Sequence, residues 1–301
     1  MKNKTNYIWH NGKFVHWDEA KIHVLTHSLH YGAATFEGIR CYNTDRGPAV
    51  FRLRDHFKRL FYSASVIDMK IPYSLEELET ATLDLISKNK ITECYIRPIA
   101  YYGYGKMGVN PQGAPVEIAI ACWGWDKYMT HKLVDMKTNK YIRIPSVVSI
   151  TDAKLSGNYL NSILGILQLQ GTDYHETLFL DLNGNIAEGA AENIFFIKNG
   201  VLHTPKLGGI LAGITRDTVM TLAKKMGLKV IEAKLSLQEA YLADEAFLTG
   251  TAIEIKPIRS IDDKIIGKGE TGIITIDLQQ SYLEVVHGKN KDFFHYLAFL
   301  K

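Results

Sequence analysis

Cysteine is scarce in this chain and carries no pattern: Cys41, Cys94 and Cys122 stand far apart, with no CxxC among them. That set supplies neither a zinc knuckle nor a disulfide framework, so no metal site is expected and buried free thiols in a reducing compartment are the simple reading. Long apolar runs are missing as well; none reaches the ~18 residues of a membrane span. The polar start Met1-Lys2-Asn3-Lys4-Thr5-Asn6-Tyr7 is not followed by the apolar stretch of a secretory leader. A soluble, cytoplasmic protein without a membrane partner is expected. Charge of one sign is absent too: 35 basic against 32 acidic residues leave a net +3, which argues against a nucleic-acid surface. What remains is 301 residues without low-complexity segments or repeats. That is enough for two domains, or one large one, burying roughly three quarters of the unfolded surface.

Strands and helices interleave along the chain. Leu53, Phe57, Leu60, Phe61 and Ala64 recur at helical spacing, with Lys58 and Arg59 beside the apolar face. Ser74 and Glu77 form an S-x-x-E capping box ahead of the stripe Leu78, Ala81, Leu85 and Ile86. Cys94 to Tyr102 and Val116 to Trp123 read as strands, after which Gly124 to Lys140 turns polar and loses periodicity. The pattern predicts a small N-terminal α/β domain over 1–124, a linker over 125–137 and a larger C-terminal domain over 138–301. The second domain is expected to begin with a strand at Val147 to Thr151, then a loop with Lys154, then a helix carrying Leu160, Ile163, Leu164 and Leu167. Asn183-Gly184 and Asn199-Gly200 mark two hairpins. Gly213-Ile214-Thr215 opens a helix with the stripe Val219, Leu222, Ala223 and Met226, closed by Gly227.

Taken singly, the polar residues are ordinary: Lys154 reads as a solvated loop lysine, Arg59 as a helix surface residue, Glu188 as a hairpin carboxylate and Tyr159 as a packing residue. Their combination says more. Lys154 opens Lys154-Leu155-Ser156-Gly157-Asn158-Tyr159, and 34 positions later comes Glu188-Gly189-Ala190-Ala191-Glu192-Asn193. A desolvated lysine is a good Schiff-base former, which pyridoxal phosphate requires. A carboxylate at the far end of that cofactor keeps the pyridine nitrogen protonated, making the ring an electron sink. The phenol of Tyr159 suits the ring oxygen, and the amides opening the Ile214-Thr215 helix suit a phosphate.

Those runs are joined by Tyr31-Gly32, Phe36-Glu37-Gly38-Ile39-Arg40, Tyr95-Ile96-Arg97-Pro98, Gly108-Val109-Asn110, Leu211-Ala212-Gly213-Ile214-Thr215-Arg216 and Gly250-Thr251-Ala252. Together, over nearly the whole length, they resemble a branched-chain-amino-acid aminotransferase of the fold-type IV pyridoxal phosphate enzymes. The resemblance implies a mixed α/β, two-domain fold like that of D-amino-acid aminotransferase, with pyridoxal 5′-phosphate as cofactor. It implies that Lys154 is the catalytic lysine that holds the cofactor, that Arg59, Ile214, Thr215 and Thr251 meet the phosphate, that Tyr159 meets the ring oxygen and that Glu188 meets the ring nitrogen, leaving Glu192 structural. Substrates would be branched-chain amino acids with 2-oxoglutarate and glutamate. Phe36, Tyr31, Val109, Trp125 and Tyr128 would form apolar walls, Arg97 would meet the glutamate side-chain carboxylate, and Tyr95 with Thr251 and Ala252 the α-carboxylate. A homo-oligomer built on a dimer is implied, with Tyr31 and Val109 reaching a neighbouring subunit. D-amino-acid aminotransferases and aminodeoxychorismate lyases share the lysine and the scaffold; Tyr95-Ile96-Arg97-Pro98 and Phe36-Glu37-Gly38 favour the branched-chain reading. The missing CxxC argues against the thiol switch of some relatives.

Overall fold

The computed structural model describes residues 3–125 and 129–300. The chain divides into two compact units, one holding 3–125, 153–157 and 284–300, the other 129–152 and 158–283.

The first unit is an antiparallel sheet backed by two helices. Its strands are β1 (Tyr7–His10), β2 (Lys13–His16), β3 (Ala34–Phe36), β4 (Ile39–Thr44), β5 (Gly47–Phe51), β6 (Cys94–Tyr102) and β7 (Val116–Trp123), with short helix α1 (His27–Tyr31) before β3. The C-terminal strand Leu297–Phe299 lies on the β5 edge, and the order runs from it through β5, β4, β6, β7, β1 and β2. Strands β3 and β4 follow one register along β6, Phe36 opposite Ile99 and Ile39 opposite Ile96. The ladder is interrupted at Glu37 and Gly38, where Glu37 faces Pro98, which has no N–H to donate, although the Glu37 N–H still donates to the Pro98 carbonyl at 2.9 Å. Helices α2 (Leu53–Ser65) and α3 (Leu75–Asn89) bury Leu53, Phe57, Leu60, Ala64, Leu78, Leu85 and Ile86 against Ile39, Cys41, Cys94, Ile96, Ile118 and Cys122. The capping box at the start of α3 is formed in both directions by Ser74 and Glu77. The three thiols are buried and free.

The second unit is a mixed sheet. Its strands are β8 (Val134–Thr138), β9 (Glu176–Leu178), β10 (Asn193–Lys198), β11 (Val201–Pro205), β12 (Val230–Ala233), β13 (Glu245–Gly250), β14 (Glu254–Ile261) and β15 (Lys264–Ile265). They run in the order β12, β11, β10, β13, β14, β8, β9, with β15 beside β14 and parallel pairs at β11/β12, β14/β8 and β8/β9. Helices α4 (Tyr159–Leu167), α5 (Ile214–Lys225), α6 (Leu237–Tyr241) and α7 (Ile273–Val286) complete the elements. The core gathers Val134, Met136, Leu178, Ile194, Phe196, Leu248, Ile258 and Ile261. Among the described residues no helix is long and apolar enough to cross a membrane, and no cluster of ligating side chains fits a metal ion.

Several expectations are corrected. The segment read as a linker contains β8, a buried strand whose flanks hide its pattern. The strand expected at Val147 to Thr151 is a run of turns with Val147 and Val148 exposed, since no neighbouring strand takes its backbone. The C-terminal domain is not continuous over 138–301: residues 153–157 and 284–300 belong to the first unit, where Leu155 bridges Thr35 and Leu297–Phe299 pairs with β5. The Asn183-Gly184 hairpin is reduced to a single bridge between Leu180 and Ile186 closed by the Asp181 carboxylate, whereas Asn199-Gly200 is a two-residue turn with both φ positive, 50° and 74°. Met226 lies exposed just past the end of α5.

Candidate active site

In the first unit, β3 and β6 present alternate residues to one face: Phe36 and Gly38 on one strand, Tyr95 and Arg97 on the other. The Arg97 guanidinium lies 4.8 Å from the Phe36 ring centroid and its Nη2 donates to the Tyr95 hydroxyl at 3.3 Å. Tyr95 stacks on Trp125 at 4.4 Å, with Trp123 at 5.1 Å. Gly38 is glycine for a steric reason: a Cβ there would stand 2.0 Å from the Tyr95 hydroxyl. Among the described residues Arg97 makes no ion pair with a carboxylate and its buried Nε has no hydrogen-bond partner.

Lys154 brings its amine to this face, 5.0 Å from the Phe36 ring centroid. Its main chain is held on two sides: the N–H donates to Ser63 Oγ at 2.8 Å, and the carbonyl accepts from the Phe36 N–H at 3.3 Å and the Thr35 hydroxyl at 3.1 Å. On the opposite side of β3, Glu37 is fully buried against α2. It accepts from Arg59 Nε at 2.6 Å and Nη2 at 2.8 Å, and from His56 Nδ1 at 2.7 Å. Burial alone would raise the Glu37 carboxyl; Arg59 and His56 overcome it and hold the group well below the usual carboxylate range. Burial lowers His56 against the pull of Glu37. Arg59 is therefore gripped by Glu37 and is not the solvated helix residue that its position alone suggests. Tyr31 and Val109 are exposed and close together, the Gly108 N–H donating to the Tyr31 hydroxyl at 3.2 Å.

In the second unit, Glu188 is buried with an ion pair to buried Arg143, whose Nε donates at 2.6 Å. Its other oxygen accepts from Asn193 Nδ2 and from the Leu211 N–H, both at 3.2 Å. Asn193 also donates to the Leu211 carbonyl at 3.0 Å, and its Oδ1 would lie 2.0 Å from a Cβ on Gly213. Glu188 is thus tied through Asn193 to the N-terminus of α5, where Gly213 is the N-cap and no side chain caps the first amides. Ile214 and Thr215 form the buried first turn, and the Thr215 hydroxyl makes no hydrogen bond with a described residue. Thr251 and Ala252 sit in the turn after β13, two residues past Thr249, whose buried hydroxyl has no hydrogen-bond partner among the described residues. Tyr159 is the first residue of α4, half-buried. Glu192 is buried and accepts from the Ala191 N–H. Tyr128 lies outside the described residues.

Residues 34–261 match the family model for class IV amino-transferases. A branched-chain-amino-acid aminotransferase of Pseudomonas aeruginosa is 42% identical over 295 residues, 97% of this chain and 96% of its own. The chain belongs to the branched-chain-amino-acid aminotransferases of class IV. Two structures of the T.th. member of this family cover 100% of both chains with TM-score 0.96: one, 42% identical, complexed with N-(5′-phosphopyridoxyl)-L-glutamate, the other, 41% identical, with 4-methylvaleric acid.

Class IV aminotransferases use pyridoxal 5′-phosphate, and the donor set of this aminotransferase fits it. A buried anion held by an arginine suits a protonated ring nitrogen, uncapped amides at a helix start suit a phosphate, and an amine on a fixed backbone suits the aldehyde. Sequence reading missed Thr35, Glu37, His56, Ser63, Arg143 and Asn193 as supports of these groups. His56 and Ser63 are polar residues buried on α2 among Leu53, Phe57, Leu60 and Ala64, and with Arg59 they stand at i, i+3 and i+7. Nothing local marked Arg143.

Proposed function

We propose that this aminotransferase moves the amino group of leucine, isoleucine or valine to 2-oxoglutarate in a ping-pong cycle, one substrate after the other in the same pocket. The observation that carries this reading is Arg97, a cation without a carboxylate partner among the described residues, set among Phe36, Tyr95 and Trp125. Aromatic walls suit a branched aliphatic side chain, and a guanidinium suits the second carboxylate of glutamate or 2-oxoglutarate. The T.th. relative's complexes with an L-glutamate adduct and with 4-methylvaleric acid support it.

Bound pyridoxal 5′-phosphate supplies an aldehyde that carries the amino group and a ring that accepts the electron pair left at the substrate's α-carbon. Lys154 holds the cofactor and, as free base, takes the proton from that carbon; its flexible stem moves the amine while Ser63, Thr35 and Phe36 keep the backbone still. Glu188 holds a negative charge toward the ring nitrogen, oriented by Arg143 and Asn193. We assign Arg59, Ile214, Thr215 and Thr251 to the phosphate, Tyr159 to the ring oxygen, Tyr95, Thr251 and Ala252 to the α-carboxylate, and Phe36, Trp125 and Tyr128 to the side-chain walls. Tyr31 and Val109 are assigned to the pocket of a second copy, supported by their exposure.

The test is turnover with leucine and 2-oxoglutarate, followed as glutamate formed. Release of pyruvate from an aminodeoxychorismate substrate, with no turnover of leucine, would reject the reading in favour of a lyase.

A further inference from the structure

Glu37 is a buried charge to which the chemistry above gives no task. It has no exposed surface, and the described partners of its carboxylate are His56 and Arg59 on α2 and the Gly38 N–H. A buried carboxylate is costly unless closely paired, and replacing such a pair with apolar groups often stabilises a fold. Stability is therefore a weak reason for its presence. Orientation is a better one. An arginine on a helix surface samples many rotamers, and a two-point grip on Nε and Nη2 removes that freedom. His56, Arg59 and Ser63 lie on one stripe of α2, and Ser63 receives the Lys154 N–H at 2.8 Å. Glu37 thus fixes a guanidinium on the same helix face that holds the backbone of the catalytic lysine, while the neighbouring Phe36 points to the substrate side.

We propose that Glu37 is a positioning residue for the cofactor phosphate, acting from behind β3 through Arg59 and setting the direction from which the guanidinium meets the phosphate. This rests on the assignment of Arg59 to the phosphate. It requires no contact between Glu37 and the cofactor.

Apo protein is titrated with pyridoxal 5′-phosphate and, separately, with pyridoxal, which lacks the phosphate, for wild type, Glu37→Gln, Arg59→Met and the double variant. Glu37→Gln is expected to weaken the phosphorylated compound by about 10-fold, to leave pyridoxal binding unchanged, and to add nothing in the Arg59→Met background. Equal weakening of both compounds, or additive loss in the double variant, overturns the proposal, because general support of the fold would act that way. If Arg59→Met is weakened and Glu37→Gln is not, the phosphate assignment stands and the positioning role falls. If Arg59→Met binds both compounds as wild type does, the phosphate assignment itself has failed. Should Glu37→Gln not fold alone, Arg59→Lys decides: it keeps the charge but cannot be gripped at two points, so it should lose most of what Arg59→Met loses, and wild-type affinity refutes the proposal.

Discussion

Lys154 combines a pinned backbone with a mobile amine, and the same division of labour recurs at Glu188, where Arg143 and Asn193 hold a charge in place. Lys154→Ala is expected to abolish transamination, and borohydride reduction of the wild-type holoenzyme should leave the cofactor on Lys154 in peptide maps; label on another lysine removes the assignment. Glu188→Gln should slow turnover on the order of 100-fold or more while retaining cofactor, since a fixed charge is lost where charge develops. An active Glu188→Gln beside an inactive Glu192→Gln would mean that the other carboxylate faces the ring. Arg97→Leu should impair the 2-oxoglutarate and glutamate half-reaction about 10- to 150-fold more than the leucine half-reaction, the value of a charged hydrogen bond. Single-turnover kinetics separate the two half-reactions, and equal losses would discard the dual-recognition role.

The strand β9 carries another buried carboxyl, Glu176, which accepts from the N–H groups of Thr177 and Ala190. Burial pushes it well above the usual carboxylate range, and the nearby charge of Glu192 adds to the rise. The folded chain therefore keeps a proton that the unfolded chain releases above the ordinary value of 4.5, so stability is full below that value and declines as pH rises through the folded pKa. Glu176→Gln keeps an acceptor for both N–H groups and removes the titration. Its melting temperature should exceed wild type at about pH 8 and match it at about pH 4, and a gain of equal size at both would show that the proton is not the cause. At this scale the sequence was legible where one element decides its own form. The capping box at Ser74 and the largely apolar run from Cys94 to Tyr102 are local. Helix α4 shows the limit: its periodicity marked Leu160, Ile163, Leu164 and Leu167 as one face, yet Ser162 and Gly165 are the buried residues. A Cβ on Gly165 would meet Phe179 at 2.5 Å. Period reveals that a face exists, not what covers it. The Glu188 to Arg143 pair, 45 residues apart, was likewise beyond reach because only the sheet brings it together.

On the second unit Leu160 and Ile163 of α4 are 61% and 53% exposed, and Val147 and Val148 are 82% and 74% exposed. Exposed apolar side chains of this kind suit an interaction surface, and the second copy proposed for Tyr31 and Val109 is the partner to test. Light scattering of the purified protein should give a mass above the 34.0 kDa of one chain, and Leu160→Glu with Ile163→Glu should lower it. A wild type that is monomeric at micromolar concentration contradicts this.

The discontinuity of the first unit bears on how the protein is made. Leu297–Phe299 closes the β5 edge, yet these residues leave the ribosome after everything else in that sheet. Until they arrive, Ala49 to Phe51 present an open strand edge to any nascent neighbour, the exposure that leads partly built sheets to aggregate. A nascent chain released at residue 283 should therefore collect in inclusion bodies although every assigned catalytic group has been translated, and soluble recovery of that fragment would show that the edge is protected in some other way.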